Sequence, residues 1–172
     1  MPRAGEGYRV YVESLAHDER GYPVMSPEAH GRLVRRLNER LRRAYHQLVD
    51  YELLAAEDAE VVVAYGSTAR SARHAVRLAR KDGMRVGLLR PITLWPFSGH
   101  VVEELSARVR AFVVAELNLG QVIREVERFT DRPVYGADHA GGMMMPPELI
   151  LPSIEEAYRD AQGSRRRYTP AR

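Results

Sequence analysis

Apolar and polar stretches alternate regularly between residues 58 and 160, and each stretch has the length of one strand or one helix. An unbroken apolar run predicts a core strand at Val61–Tyr65, because such runs suit strands buried on both faces. Two further strands are predicted at Arg85–Leu89 and Ala111–Ala115. Helical spacing follows each run, and a short fourth strand is expected near Pro133–Tyr135. This order predicts a three-layer α/β/α sandwich with a mainly parallel, Rossmann-like sheet.

The ends of the chain have a different pattern. Tyr8, Val10 and Val12 alternate with polar residues like a short strand, and Ser26-Pro27 begins a long amphipathic helix with an arginine-rich polar face. That helix fits either a solvated layer on the domain or a basic strut contacting an acidic partner. We therefore predict a connector and helix over 1–57, with an acidic linker over Asp50–Asp58, an α/β domain over 58–160, and a disordered tail over 161–172. Within the last helical region, Pro152 is expected to break or restart the helix.

Composition narrows the possible functions. The chain has no cysteine, so it offers no thiolate for an iron–sulfur cluster and no cysteine nucleophile. Its 6 histidines are scattered, and no metal site is predicted. A formal charge of +3, spread among acidic residues, does not favour nucleic-acid binding. Without a long apolar run or a secretory signal, no membrane association is expected, and a soluble cytoplasmic protein is predicted.

Polar residues follow the predicted strands at their carboxyl ends, where parallel strands meet at one edge of a sheet. The candidate residues are Gly66, Ser67, Thr68, Arg90, Glu116, Asn118 and Gln121. They fit either a site for an anion or a partner's backbone, or a set of helix caps in which Ser67 or Thr68 bonds a free amide and Arg90 pairs with Glu116. No dinucleotide fingerprint, Walker lysine or catalytic triad accompanies them, so no catalytic residue is predicted.

The loop after the second predicted strand is unusually apolar for a surface loop. Leu94, Trp95 and Phe97 are the candidate interface residues, and two prolines stiffen the segment.

Several ordered motifs resemble one family. They are Val63–Arg70, Gly87–Phe97, Val114–Gln121 with Arg124–Val126, His17–Glu19 with Gly21–Val24, and Gly141–Gly142 with Pro146–Ile150. Together they resemble domain II of the alpha subunit of 2-oxoacid:ferredoxin oxidoreductases of the 2-oxoglutarate type. The resemblance implies a fold like the C-terminal domain of transketolase.

The same resemblance implies an enzyme system that decarboxylates a 2-oxoacid with coenzyme A and reduces ferredoxin. Thiamine diphosphate, magnesium and iron–sulfur clusters are implied in the full complex, and none is expected to bind this chain alone. The thiamine pyrimidine-binding domain of the family is missing from the sequence. We therefore expect an assembly role beside other subunits, a homodimer or hetero-oligomer, and an inactive isolated chain. The alternative is a free-standing Rossmann-like module that binds a small anionic or nucleotide-like ligand at Gly66–Thr68.

Overall fold

A computed structural model describes residues 3–9, 13–57 and 60–163. The described elements are α1 (Pro27–Leu48), β1 (Tyr51–Leu54), β2 (Glu60–Ala64), α2 (Thr68–Lys81), β3 (Val86–Pro91), α3 (Gly99–Ser106), β4 (Phe112–Glu116), α4 (Val122–Glu127), β5 (Val134–Asp138) and α5 (Pro147–Gly163). The predicted strand at Val10 and Val12 and the tail from residue 164 lie outside the described residues. The prediction of a tail was wrong for 161–163, which end α5.

The chain divides into two compact units between His46 and Gln47. In the first unit, a hairpin over residues 16–24 is followed by α1, whose start was predicted correctly. The Ser26 hydroxyl accepts a hydrogen bond from the Ala29 amide at 3.2 Å, which satisfies one of the amides left free at a helix start.

The second unit contains a five-stranded sheet with the strand order β1-β3-β2-β4-β5. β2, β3, β4 and β5 are parallel, and Val62 of the central strand β2 lies in register with Leu88 on one side and Val113 on the other. The three predicted core strands are confirmed, with ends shifted by one or two residues.

β1 was missed, because its four residues were predicted to belong to an acidic linker. It pairs antiparallel with β3 at the edge of the sheet, ahead of the predicted domain start at residue 58. Glu52 gives the segment its polar character, yet this side chain is paired with Arg90 of the neighbouring strand. A short edge strand that carries a charge has no clear apolar pattern, so it reads as a loop.

Two apolar cores lie on opposite faces of the sheet, as the alternation along β4 shows. Val113 and Ala115 belong to a core with residues of α2 and α5, and Phe112 and Val114 belong to a core with residues of α3 and α4. The three-layer α/β/α sandwich is therefore confirmed.

The expected break at Pro152 is wrong, because α5 continues through it. Ile150 and Ile154 flank the proline and are both fully buried in the core shared with α2. Their packing offsets the one helical hydrogen bond that proline cannot donate.

In the part of the chain that the structure describes, no helix combines the length and apolar character needed to cross a membrane.

Candidate functional site

The crossovers bring the carboxyl ends of β2 and β4 side by side. From β2 the chain moves through α2 to β3 on one side, then returns through α3 to β4 on the other. In open α/β sheets, the crevice at such a reversal is where ligands and partners collect. The loops after β2 and β4 therefore form the candidate site, while the end of β3 lies on the far side of β2.

Glu116 organises the loop after β4. Its side chain is fully buried, and its two carboxylate oxygens accept three backbone amides at the start of α4. Oε2 accepts from Gln121 at 3.1 Å and from Val122 at 2.9 Å, and Oε1 accepts from Ile123 at 3.1 Å. A carboxylate at a helix start also interacts favourably with the helix dipole. Glu116 is thus a cap for α4, supplied from the preceding strand.

Asn118 connects the two loops. Its Oδ1 accepts the amides of Gly120 and Gln121, each at 2.9 Å, and its Nδ2 donates to the phenol oxygen of Tyr65 at 2.7 Å. Gly120 has a φ of 87°, a left-handed conformation that glycine adopts without steric cost. The predicted residues Asn118 and Gln121 are therefore brought together, although Gln121 takes part through its backbone.

Two titratable groups beside Glu116 were not predicted. Asp138 is the register partner of Glu116 on β5, and partial desolvation of its exposed side chain, followed by the charge of Glu116, raises its pKa. The same two causes raise the pKa of Tyr65, while the hydrogen bond from Asn118 opposes them. Tyr65 directly precedes the glycine turn, a position that could have identified it. Asp138 could be identified only from the strand pairing, which the sequence does not contain.

The turn after β2 differs from the predicted capping arrangement. Gly66 has a φ of 57° with open space around it, as a tight turn requires. Ser67 has helical φ and ψ of −67° and −32°, and its hydroxyl makes no capping bond. The buried Thr68 hydroxyl donates back to the Tyr65 carbonyl. The prediction that Ser67 or Thr68 caps a free amide was therefore wrong: Ser67 makes no capping bond in this helical conformation, and the hydrogen bond of the Thr68 hydroxyl is to a carbonyl oxygen of the turn.

Arg90 does not join this site. It donates to Glu52 at 3.0 Å, and Arg73 of α2 lies 3.3 Å from the same carboxylate oxygen. The predicted pair of Arg90 with Glu116 is wrong, because successive side chains on a strand point to opposite faces. Arg90 shares the face of Leu88, which packs in the core with α2, whereas Glu116 shares the face of Val114, which packs in the core with α4.

The apolar loop between β3 and α3 is held at its base. The amides of Ile92 and Thr93 donate to the Asp50 carbonyl at 2.9 and 3.0 Å, and the Thr93 hydroxyl donates to the Leu48 carbonyl at 2.7 Å. These hydrogen bonds tie the backbone at the start of the loop to the segment that precedes β1. Further along the loop, the Trp95–Pro96 peptide bond is cis.

The three predicted interface residues divide into two groups. Leu94 and Trp95 are 43% and 70% exposed. Phe97 is partly buried, and its ring lies 5.9 Å from that of Phe129, in the core with α3 and α4. The sequence pattern did not distinguish Phe97, which packs in the core, from Trp95, which is exposed. It also missed Leu119, which follows Asn118 and is 79% exposed.

The hydrogen bonds at this edge form a rigid platform. The oxygens of Glu116 and Asn118 are bonded to backbone amides, and these bonds fix the loop after β4. Among the described residues, no group of three or more His, Asp or Glu side chains is placed to hold a metal ion. The geometry of the loop after β4 suits the presentation of Leu119 more than proton transfer. Leu94 and Trp95 are presented separately, by the anchored loop after β3.

Comparison with known proteins agrees with this fold. The family described as pyruvate:ferredoxin oxidoreductase core domain II matches residues 59–150, more than half of the chain. The chain belongs to this family. The resemblance found in the sequence motifs is thereby confirmed, and this domain II chain can be compared with its longer relatives.

The curated relatives are subunits of oxidoreductases. The 2-oxoglutarate synthase subunit KorA of Methanocaldococcus jannaschii is 42% identical over 152 residues, which cover 87% of this chain and 41% of the relative. KorA of Methanothermobacter thermautotrophicus is 41% identical, with coverages of 90% and 42%. The ketoisovalerate oxidoreductase subunit VorB of the same organism is 37% identical, and the match covers 73% of this chain and 36% of VorB. The chain thus spans about two fifths of the length of these relatives.

Two solved structures share the fold. One is the 2-oxoglutarate:ferredoxin oxidoreductase from Magnetococcus marinus with 2-oxoglutarate, coenzyme A and succinyl-CoA bound, with a TM-score of 0.74, 24% identity, and coverage of 92% of this chain and 28% of that one. The other is a split-gene transketolase in an inactive beta4 tetramer, with a TM-score of 0.57, 16% identity and coverages of 64% and 41%. The transketolase-like fold is thereby confirmed.

Proposed function

We propose that this chain is the domain II portion of a 2-oxoacid:ferredoxin oxidoreductase and acts in subunit assembly. The exposure of Trp95 carries the proposal. Trp95 is 70% exposed on a loop fixed at its base, and contact of this large apolar side chain with water is unfavourable in an isolated chain. Such a side chain suits the centre of a protein interface. Because the loop is already ordered, association costs less conformational entropy than it would for a mobile segment.

The activity of the whole complex is also part of the proposal. The names of the curated relatives support a 2-oxoacid substrate, and the structurally similar enzyme with coenzyme A and succinyl-CoA bound supports coenzyme A-dependent decarboxylation with ferredoxin as electron acceptor. We also propose a cytoplasmic location. The residues of this chain do not fit the implied cofactors. It has no cysteine for an iron–sulfur cluster, and its described residues include no cluster of three metal ligands. We therefore propose that other polypeptide holds the iron–sulfur clusters, and no reaction step is assigned to this chain.

The free-standing ligand module stays an alternative prediction. Its site at Gly66–Thr68 would lack the cation expected from Arg90, which is paired with Glu52 on the other side of β2.

The experiment is affinity capture of the tagged chain from its native lysate, followed by mass spectrometry. The supporting result is recovery of a thiamine-binding subunit and an iron–sulfur subunit of one oxidoreductase, identified by peptide sequence. Trp95→Ala should reduce that recovery severalfold. The control is Leu149→Ala, which changes a 46% exposed residue of α5, on the opposite face of the sheet from α3 and α4. This variant should not reduce the recovery. Recovery of the chain alone would overturn the proposal, as would equal recovery with Trp95→Ala.

A further inference from the structure

A cavity of about 620 Å³ lies in the first unit, between the hairpin over residues 16–24 and the first half of α1. It precedes residues 59–150, which match the family, and it contains none of the candidate residues at the carboxyl edge of the sheet. Its volume is within the range of small-molecule pockets. One wall is His17–Arg20 and the other includes Arg32, Leu33 and Arg36.

The hairpin wall is rigid because Asp18 bonds across the turn. Its Oδ1 accepts the amides of Arg20 and Tyr22 at 2.9 and 3.0 Å, and its Oδ2 accepts the Arg20 guanidinium at 2.9 and 3.1 Å. These bonds, led by the Tyr22 amide, lower the pKa of Asp18. Main-chain bonds from Asp18 to Tyr22 and from Val24 to Ala16 close the hairpin. The wall is thus formed before any ligand arrives.

The helix wall includes two arginines, Arg32 and Arg36. Arg32 and Arg36 are one helical turn apart and both line the cavity. Neither forms an ion pair with a carboxylate in the described ranges. Like charges at this spacing repel, so an anion between the two guanidinium groups would relieve an unfavourable interaction. Their planar donor groups match the oxygens of phosphate in a bidentate manner.

The other charges of the cavity leave this pair available. The guanidinium of Arg20 forms an ion pair with the Asp18 carboxylate, and His17 Nε2 lies 3.3 Å from Glu13 Oε1. Glu19 is the remaining carboxylate in the lining, and it is exposed on the hairpin wall. Two arginines thus outnumber one free carboxylate.

We propose that this cavity binds the phosphate group of a small phosphorylated molecule. Arg32 and Arg36 contact the phosphate oxygens, and the rigid hairpin encloses the remainder of the molecule. The site is independent of the proposed role in subunit assembly.

Calorimetric titration of the full chain with pyrophosphate, inorganic phosphate and citrate, at constant ionic strength, tests this site. We expect saturable binding of pyrophosphate, weaker binding of inorganic phosphate, and the weakest binding of citrate, whose carboxylates carry similar charge. Arg32→Gln with Arg36→Gln should weaken pyrophosphate binding by at least about tenfold. The control, Arg35→Gln with Arg42→Gln, removes the same charge from residues of α1 outside the cavity lining and should change binding less than about twofold.

Circular dichroism of both variants checks that α1 is retained. If the double variant loses helix, the single variant Arg36→Gln replaces it. Amide NMR shifts of the wild-type chain give a second measurement, in which pyrophosphate should move the signals of Asp18–Gly21 at the same concentrations as the calorimetric curve. Absence of saturable binding, equal weakening in both variant pairs, unmoved hairpin signals, or tighter binding of citrate than of pyrophosphate would each overturn the proposal.

Discussion

The side-chain amide of Asn118 donates to the phenol oxygen of Tyr65 at 2.7 Å, and this bond joins the loop after β4 to the end of β2. The two residues are 53 positions apart in the chain, and they meet because β2 and β4 are neighbours in the sheet. The Asn118 carbonyl oxygen meanwhile holds the amides of Gly120 and Gln121. One side chain thus sets both the shape of the loop and its position against β2.

Tyr65→Phe removes the acceptor of that bond and keeps the ring. We expect a loss of about 0.5–1.5 kcal/mol in the free energy of unfolding, the usual value of one hydrogen bond. Urea denaturation of Tyr65→Phe, Asn118→Ala and the double variant forms a double-mutant cycle. Strictly additive losses would show that the bond contributes no coupling energy.

Glu116→Gln should be more damaging. The amide group replaces one carboxylate oxygen with a donor, so at least one of the three buried amides at the start of α4 loses its acceptor. We expect a loss of about 2–3 kcal/mol, because these are hydrogen bonds to a charged group. Denaturation by urea measures it, and a loss no larger than that of Tyr65→Phe would contradict the capping role.

Gly99→Ala tests the packing of α3 against Phe129, the second residue beyond α4. A Cβ at this position would lie 2.4 Å from two ring carbons of Phe129. We expect a loss of about 1–3 kcal/mol from overpacking, measured by thermal unfolding. Phe129→Leu should recover part of it in the double variant. Gly163→Ala, where a Cβ meets no atom within 4 Å, is the control and should be close to neutral.

Asp138→Asn should raise the melting temperature at pH 7. In the folded chain the pKa of Asp138 lies above 3.8, so folding disfavours its charged form, and stability falls as pH rises through that pKa. The asparagine variant avoids this loss. Its advantage should shrink as the pH is lowered towards 3.8, where the wild-type carboxyl becomes protonated. An advantage that does not depend on pH would contradict the electrostatic cause.

Much of the fold follows from local pattern, because fully buried strands such as β4 are apolar on both faces and read clearly. β1 could not be predicted from local pattern, because Glu52 interrupts its apolar residues. Arg90, the ion-pair partner of Glu52, lies 38 residues further along the chain. Part of the candidate site could also be predicted from local pattern. Residues at strand ends share one edge of a sheet, which brought Glu116 and Asn118 into the prediction. Which face each side chain occupies depends on register, so the pairing of Arg90 and the packing of Phe97 against Phe129 could not be inferred.

The most direct test of the central claim is 2-oxoacid-dependent, coenzyme A-dependent reduction of ferredoxin, with 2-oxoglutarate and ketoisovalerate each tried as substrate, measured for the purified chain alone and for the complex proposed to contain it. We predict no turnover by the chain alone. We predict turnover in the complex, with severalfold loss when Trp95→Ala replaces the wild-type chain and recovery on adding the wild-type chain back. Turnover by the isolated chain, or equal activity of the complex in the absence of the chain, would contradict the account.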